Sequence, residues 1–440
     1  MRMFDRRLGF IIFQIFTNSL LKPSSVRFSG NWRRPFSGKH DLPVDRTTRL
    51  GLKGATRSQW TGVDWRLLAL CALVVLPLLA SCTRNIGGEG NGWNPAVSKD
   101  GVVYVATQEG EVKAYIDSGF EGVRESWTFS PGQTQANLEG AYHTPLVVGD
   151  LVYVTAQNGF VYAIDKETGT VGNSGWRMPQ GQPDDLEPLI AGPAYDPVND
   201  LILAPSEDGS LYAYDAKSGE PLWNPFRTGA AIWSTPAVDD GIGYFGSHDH
   251  KVYAVTLSDG KELWSYETGG VVAGKPLVFD GKVIAGSFDK LLYALSADSG
   301  AVIWTFEAEN WFWAGAVTDG STIFAPNMDG NIYALDRDGN LLWKHDVGSA
   351  IVSSPVLVDR GLVVAAKDGK LVLLDTGKAN LGLQRELSNL TLGDAEITAP
   401  LFADGDSVYV GSQDSTVRRI EVKGGQVIMW CIHTQEGSCN

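Results

Sequence analysis

Residues able to do chemistry are sparse in this chain, and the informative ones break a pattern. Short segments of small or aliphatic residues recur just before a proline or its replacement. They include Tyr142-His143-Thr144, Ile232-Trp233-Ser234-Thr235, Val272-Ala273-Gly274-Lys275 and Trp311-Phe312-Trp313. In them His143, Trp233, Lys275, Trp311 and Trp313 depart from the small-or-aliphatic rule. Indole rings near a cation suit the docking of a peptide or ligand, since such side chains carry much of the energy of recognition. The alternative is that Trp311 and Trp313 cap the core of one repeat. No Gly-x-Ser-x-Gly, His-Glu-x-x-His, phosphate-loop or dinucleotide fingerprint occurs. His248 and His250 replace a turn Asp-Gly, and no metal site is expected from them. Nearly all Asp residues sit at the repeated turn or at the apolar-Asp position, which marks them as hydrogen-bonding turn residues rather than catalysts. No catalytic residue is assigned.

Four cysteines carry two further expectations. Residues 67–80 form an apolar run of 14, short for a membrane span and the right size for the core of a signal peptide, with Arg66 before it. It ends in Leu79-Ala80-Ser81-Cys82, which looks like a bacterial lipobox, so Cys82 is expected to be acylated and to become the mature N-terminus. The alternative is an ordinary secretory signal with an incidental Cys82. Cys71 leaves with the signal. Cys431 and Cys439 remain, and a disulfide between them is expected outside the cytoplasm, with two free thiols as the alternative.

The elements that must position these residues come from one unit written eight times between about residues 95 and 430. Four consecutive copies carry Leu211-Tyr212-Ala213, Val252-Tyr253-Ala254, Leu292-Tyr293-Ala294 and Ile332-Tyr333-Ala334, with tyrosines 41, 40 and 40 residues apart. Pro95, Pro145, Pro193, Pro236, Pro276, Pro355 and Pro400 anchor the copies, with Ala316 in the sixth place. Trp127, Trp176, Trp223, Trp264, Trp304, Trp343 and Trp430 close them; the seventh copy lacks this residue. Asn158-Gly159, Asp208-Gly209, Asp329-Gly330 and Asp368-Gly369 supply the positive φ of tight hairpins. Short strands at a period near 40 predict an all-β fold, an eight-bladed β-propeller, with a solenoid as the alternative. The recurring Trp is expected to wedge between neighbouring sheets.

The stretch Ala213-Tyr214-Asp215-Ala216-Lys217-Ser218-Gly219-Glu220-Pro221-Leu222-Trp223 resembles the tryptophan-docking repeat of pyrroloquinoline-quinone (PQQ) proteins. Ala254–Gly260–Trp264 and Ala294–Gly300–Trp304 keep its spacing, the latter with Ser296 in place of Asp. The resemblance covers essentially the whole mature chain and implies a propeller of quinoprotein type. It does not imply the cofactor. The family includes PQQ- and calcium-dependent dehydrogenases as well as non-enzymatic lipoproteins of the outer-membrane barrel-assembly machinery. The dehydrogenases typically carry adjacent cysteines, calcium ligands and a catalytic Asp. This chain has no adjacent cysteines and none of the long insertions of the large alcohol-oxidising members, so no cofactor is expected.

The domain organisation expected is a signal and lipobox region over 1–82, a flexible tether over 83–94 and the propeller over 95–440. Residues before about 60 are expected to reflect a start codon placed too early, because a signal's basic region is normally short. The chain has 36 basic and 51 acidic residues. Residues 1–82 hold 13 and 4 of these, which leaves 23 and 47, a net charge of −24 for the mature part. Such a surface repels nucleic acid, so no nucleic-acid partner is expected. The function expected is an extracytoplasmic scaffold, held to a membrane by lipid and binding other envelope proteins or peptides. Its alternatives are a PQQ- and calcium-dependent dehydrogenase and a ligand or glycan sensor.

Overall fold

The computed structural model describes residues 93–439, apart from 132–139, 141, 173–174, 181–185, 378–384 and 438. The expected signal region, Cys82 and residues 83–92 lie outside the described residues. Eight antiparallel sheets each contain four strands consecutive in sequence. This is the eight-bladed propeller that the repeat predicts. The chain joins the ring slightly before the expected residue 95: Asn94 is buried and donates from its side chain to the Ser412 carbonyl at 3.1 Å.

The fourth blade shows why the sequence folds this way. Its strands are Ala237–Asp239, Ile242–Gly246, Lys251–Thr256 and Lys261–Glu267, counted from the inside outwards. Val252 to Val255 are all buried, because neighbouring blades cover both faces of the sheet. A continuous apolar run of β-formers is what such a doubly covered strand requires. The hairpin between second and third strands turns at Asp249-His250, with His250 at φ 69°. Asp249 accepts from the Lys251 N–H at 3.2 Å and from the Tyr253 hydroxyl at 2.6 Å. The Tyr-to-Asp bond recurs as Tyr212–Asp208, Tyr293–Asp289 and Tyr333–Asp329. These repeated carboxylates are therefore consumed in fixing hairpins.

Neighbouring blades are joined by the closing tryptophans. Trp264 pairs with Ala254 on its own sheet, and its indole N–H reaches into the fifth blade to donate to the Ala297 carbonyl at 2.8 Å. Its ring lies against Gly300, where an added Cβ would stand 2.6 Å from the ring. Gly300 also has φ +69°, so this glycine meets two demands, one of backbone and one of space. The same docking bond runs from Trp127, Trp176, Trp223 and Trp304 to the next blade at 2.9–3.1 Å. Each indole thus buries apolar area and satisfies its one donor, which a large ring in a core must do. At the degenerate seventh copy the pattern changes. The Arg385 guanidinium lies 4.1 Å from the Trp343 ring centre, a cation–π contact.

Among the described residues, no strand is exchanged between the first and last blades. The first comprises Ala96–Lys99, Val102–Ala106, Val112–Asp117 and Val123–Phe129, and the eighth ends on Val427–His433. The ring is closed by side chains. Asp117 accepts from the Trp430 indole at 3.0 Å, from Arg419 at 3.0 Å and from the Tyr409 hydroxyl at 3.2 Å. Trp430 therefore docks on a carboxylate, where other blades use a carbonyl. Beside it Val103, Val105 and Tyr115 pack with Val417, Trp430 and Ile432. Lys113 donates to the Thr434 carbonyl at 2.7 Å, and Cys431 in the last strand is joined to Cys439 in the tail, with Cα atoms 5.6 Å apart.

Candidate functional site: the channel and its aromatic mouth

Each segment before an anchor proline links the outer strand of one blade to the inner strand of the next. The hairpin between second and third strands reaches the same face. A recurring backbone bond ties the two together. The N–H of the residue preceding the turn Asp donates to the linking segment: His248 to Ala231 at 2.9 Å, Phe288 to Val271 at 2.9 Å and Met328 to Trp311 at 3.0 Å. Two variable positions per blade are thus brought to one mouth, one from the linker and one from the hairpin.

Across blades four to six these positions form an aromatic row. Trp233 lies 4.1 Å from His248 and 6.3 Å from Trp313, between ring centres. Phe288 stacks on Trp313 at 5.3 Å and on Trp311 at 4.9 Å, with planes only 5° apart in the second pair. Phe312, between the two tryptophans, is 1% exposed and belongs to an inter-blade core, whereas Trp311 is 39% exposed. The core role in this segment falls to Phe312.

Trp233 is held in place by a bond from its indole N–H to Glu207 at 2.9 Å. Burial pushes the Glu207 carboxyl up, while that bond opposes the shift. Burial drives His248 the other way, down to about 4, so the ring is neutral near pH 7. Its Nε2 has no partner among the described residues.

His143 and Lys275 sit deeper and apart from the row. Together with Ser354 and Pro400 they border both compartments of the central channel. The compartment at the mouth is about 60 Å³ and meets Trp93, Trp233 and Trp313. The one beyond is about 480 Å³. Burial first, and the charge of Lys275 second, lower His143 to about 4. Lys275 stands in the channel exposed to its solvent yet encircled by protein, and that desolvation lowers its pKa from the ordinary lysine value. Among the described residues it makes no ion pair or hydrogen bond.

The sequence-predicted residues therefore divide into two groups: Trp233, Trp311 and Trp313 in the row, His143 and Lys275 at the constriction. Sequence reasoning missed Phe288, the centre of the row, along with Trp93 and Tyr142, which pack edge to face at 5.0 Å. The missed signal was the variable residue before each turn Asp, which reads Glu207, His248, Phe288, Met328, Lys367 and Gln413.

The channel residues do not fit a PQQ–calcium pair. No group of three His, Cys, Asp or Glu among the described residues is placed to hold a metal ion. The lining of the large compartment contains no carboxylate, and the Lys275 ammonium would repel a divalent cation there. No helix among the described residues is long and apolar enough to cross a membrane.

Known proteins carry the same fold. A family model described as outer membrane protein assembly factor BamB matches residues 63–230 and 207–428. An outer membrane protein assembly factor BamB from Burkholderia pseudomallei is 30% identical over 172 residues, covering 37% of each chain. A lanthanide-dependent methanol dehydrogenase from Methylorubrum extorquens is 29% identical over 181 residues, 37% of this chain and 29% of that one. The chain thus spans well under half the length of these curated relatives in its matches. The crystal structure of BamB from Moraxella catarrhalis superposes with a TM-score of 0.58 at 19% identity, over 75% of this chain and 94% of that one.

Proposed function

The chain belongs to the family of the outer membrane protein assembly factor BamB, and on that premise we propose that it is an extracytoplasmic binding scaffold serving outer-membrane protein assembly. The observation that carries this reading is the aromatic row. An exposed indole stacked on a phenyl ring, flanked by two more indoles, is an unusual surface for a repeat whose own packing is completed elsewhere by the docked tryptophans. Rings of this kind anchor protein partners because they bury much area with few rotatable bonds. The partners in this reading are other envelope proteins or peptides presenting apolar side chains, and no cofactor takes part.

Replacing Trp311 and Trp313 together by alanine should weaken partner capture by about 2 kcal/mol or more. Melting should change little, because Phe312 keeps the core. Co-purification from membrane extract, run beside a melting curve, reads both quantities. Capture equal to wild type, or a collapse in melting without a separable binding loss, would contradict the reading.

The same proposal places the scaffold on a membrane. The apolar run 67–80 acts as the signal core, Cys82 carries the lipid and the residues from 83 up to the ring form the tether. Acyl chains provide anchoring without a span. Cys82→Ser should move the protein from the membrane to the soluble extracytoplasmic fraction and abolish labelling by a fatty-acid analogue. Unchanged retention together with unchanged labelling would rule out the anchor.

A further inference from the structure

The mature chain carries a net charge of −24, yet the large compartment of its channel is lined without a single Asp or Glu. Its charged lining residues are Lys99 and Lys275, and its polar ones include His143, Thr235 and Ser354. Ser98, one of the lining residues, donates to the Asp404 carboxylate at 3.1 Å. At the position before the proline or its replacement, other blades place Asn94, Thr144, Thr235 or Ser354, or a glycine or alanine. The repeat therefore does not require a cation there, and packing does not explain Lys275. An ammonium encircled by protein with no counter-charge is costly unless something neutralises it.

The surroundings define what would do so. The compartment is about 480 Å³, in the range of small-ligand sites. Thr235 accepts from the Gly192 N–H at 3.0 Å and Ser354 from the Gly315 N–H at 3.1 Å, which leaves the Ser354 hydroxyl proton to donate inward and the Thr235 proton to choose between the compartment and His143. Thr235 also lies 3.5 Å from His143 Nδ1. The remaining wall is apolar, with Leu146, Val147, Leu401 and Phe402.

We propose that this compartment binds a small organic monocarboxylate. Its carboxylate pairs with Lys275 and the hydroxyls of Thr235 and Ser354, and its apolar body lies against the leucines and Phe402. The carboxylate takes Lys275 and the two hydroxyls, and an inorganic anion such as phosphate would make no use of the apolar wall. A bound anion would also favour the charged lysine, reversing the desolvation that now lowers its pKa. The site lies beyond the constriction from the aromatic row and stands independently of the scaffold reading.

Calorimetry on the purified protein tests this with hexanoate and 3-phenylpropionate, their neutral amides, and inorganic phosphate. Both acids should bind, with the amides and phosphate weaker by at least about tenfold, as a charge-assisted hydrogen bond implies. Lys275→Met should abolish the difference between acid and amide while leaving the melting temperature unchanged or raised, since an unpaired charge is removed. Three results would overturn the proposal: no difference between acid and amide in the wild type, a difference that survives Lys275→Met, or phosphate binding as tightly as the acids. A large fall in melting for Lys275→Met with no effect on acid binding would assign the lysine a structural role and overturn it equally.

Discussion

Trp264→Ala should lower the unfolding free energy by about 3–5 kcal/mol, the cost of truncating a buried aromatic. The ring is 7% exposed, lies 6.0 Å from Tyr244 between centres and belongs to the cluster that joins blades four and five. Its removal leaves a cavity at the blade interface and strips the Ala297 carbonyl of the indole bond. Trp264→Phe keeps a ring at the interface, so its cost should be smaller. Gly300→Ala should approach the alanine variant in severity, because its new methyl group meets the indole from the other side. Urea unfolding of the three variants measures this. A loss below about 1 kcal/mol for Trp264→Ala would show that the tryptophan does not hold the blades together, since even a single net hydrogen bond is worth about that much.

Asp117→Ala should be of similar size, about 3–5 kcal/mol, because it removes the more buried partner of an ion pair and leaves Arg419 only the longer contact with Glu421 at 3.7 Å. Asp117 has a side chain only 4% exposed, and Arg419 approaches it to 3.0 Å. The carboxylate also accepts from Trp430, Tyr409 and the Gly119 N–H, so one truncation frees four donors. Among the described residues no exchanged strand holds the first and eighth blades, so these bonds, the small apolar cluster beside them and the bonds from Asn94 and Lys113 make the ring's seam. Asp117→Asn keeps the acceptor oxygen without the charge and should fall between alanine and wild type. Unfolding by urea, with limited proteolysis of the terminal blades as a second readout, checks the prediction. A variant as stable and as resistant as wild type would mean that the seam is held elsewhere.

The fold was legible because one local pattern serves every blade. Tyr253 bonds its own hairpin Asp, and Gly260 receives the preceding blade's Trp223, so both residues recur wherever the geometry recurs. The seam was not legible. Asp117 and Trp430 lie 313 residues apart, and nothing in the spacing of either copy announces the pairing. The best-matched repeat also misleads about burial. Trp223 ends it yet is only half-buried, while Trp264 in a less typical copy is buried.

The candidate site was legible in half. Residues before the prolines stood out because small side chains dominate there, which exposed Trp233, Lys275, Trp311 and Trp313. Phe288 escaped because it belongs to a different element. Backbone bonds from Phe288 to Val271 and from Phe312 to Ser287 bring the hairpin against its two linkers, and they leave no trace in residue type. The split between an aromatic row and a cationic constriction was equally hidden, because sequence distance does not tell depth in a channel.

Photo-crosslinking in intact cells tests the central claim most directly. A photoreactive amino acid is placed at position 311, in the aromatic row, and at position 319, in the turn between the inner and second strands of the same blade on the opposite face. The scaffold reading predicts adducts with outer-membrane assembly proteins from position 311 and none from position 319. Adducts from 319 alone, or none from 311 in a protein that melts like wild type, would contradict it.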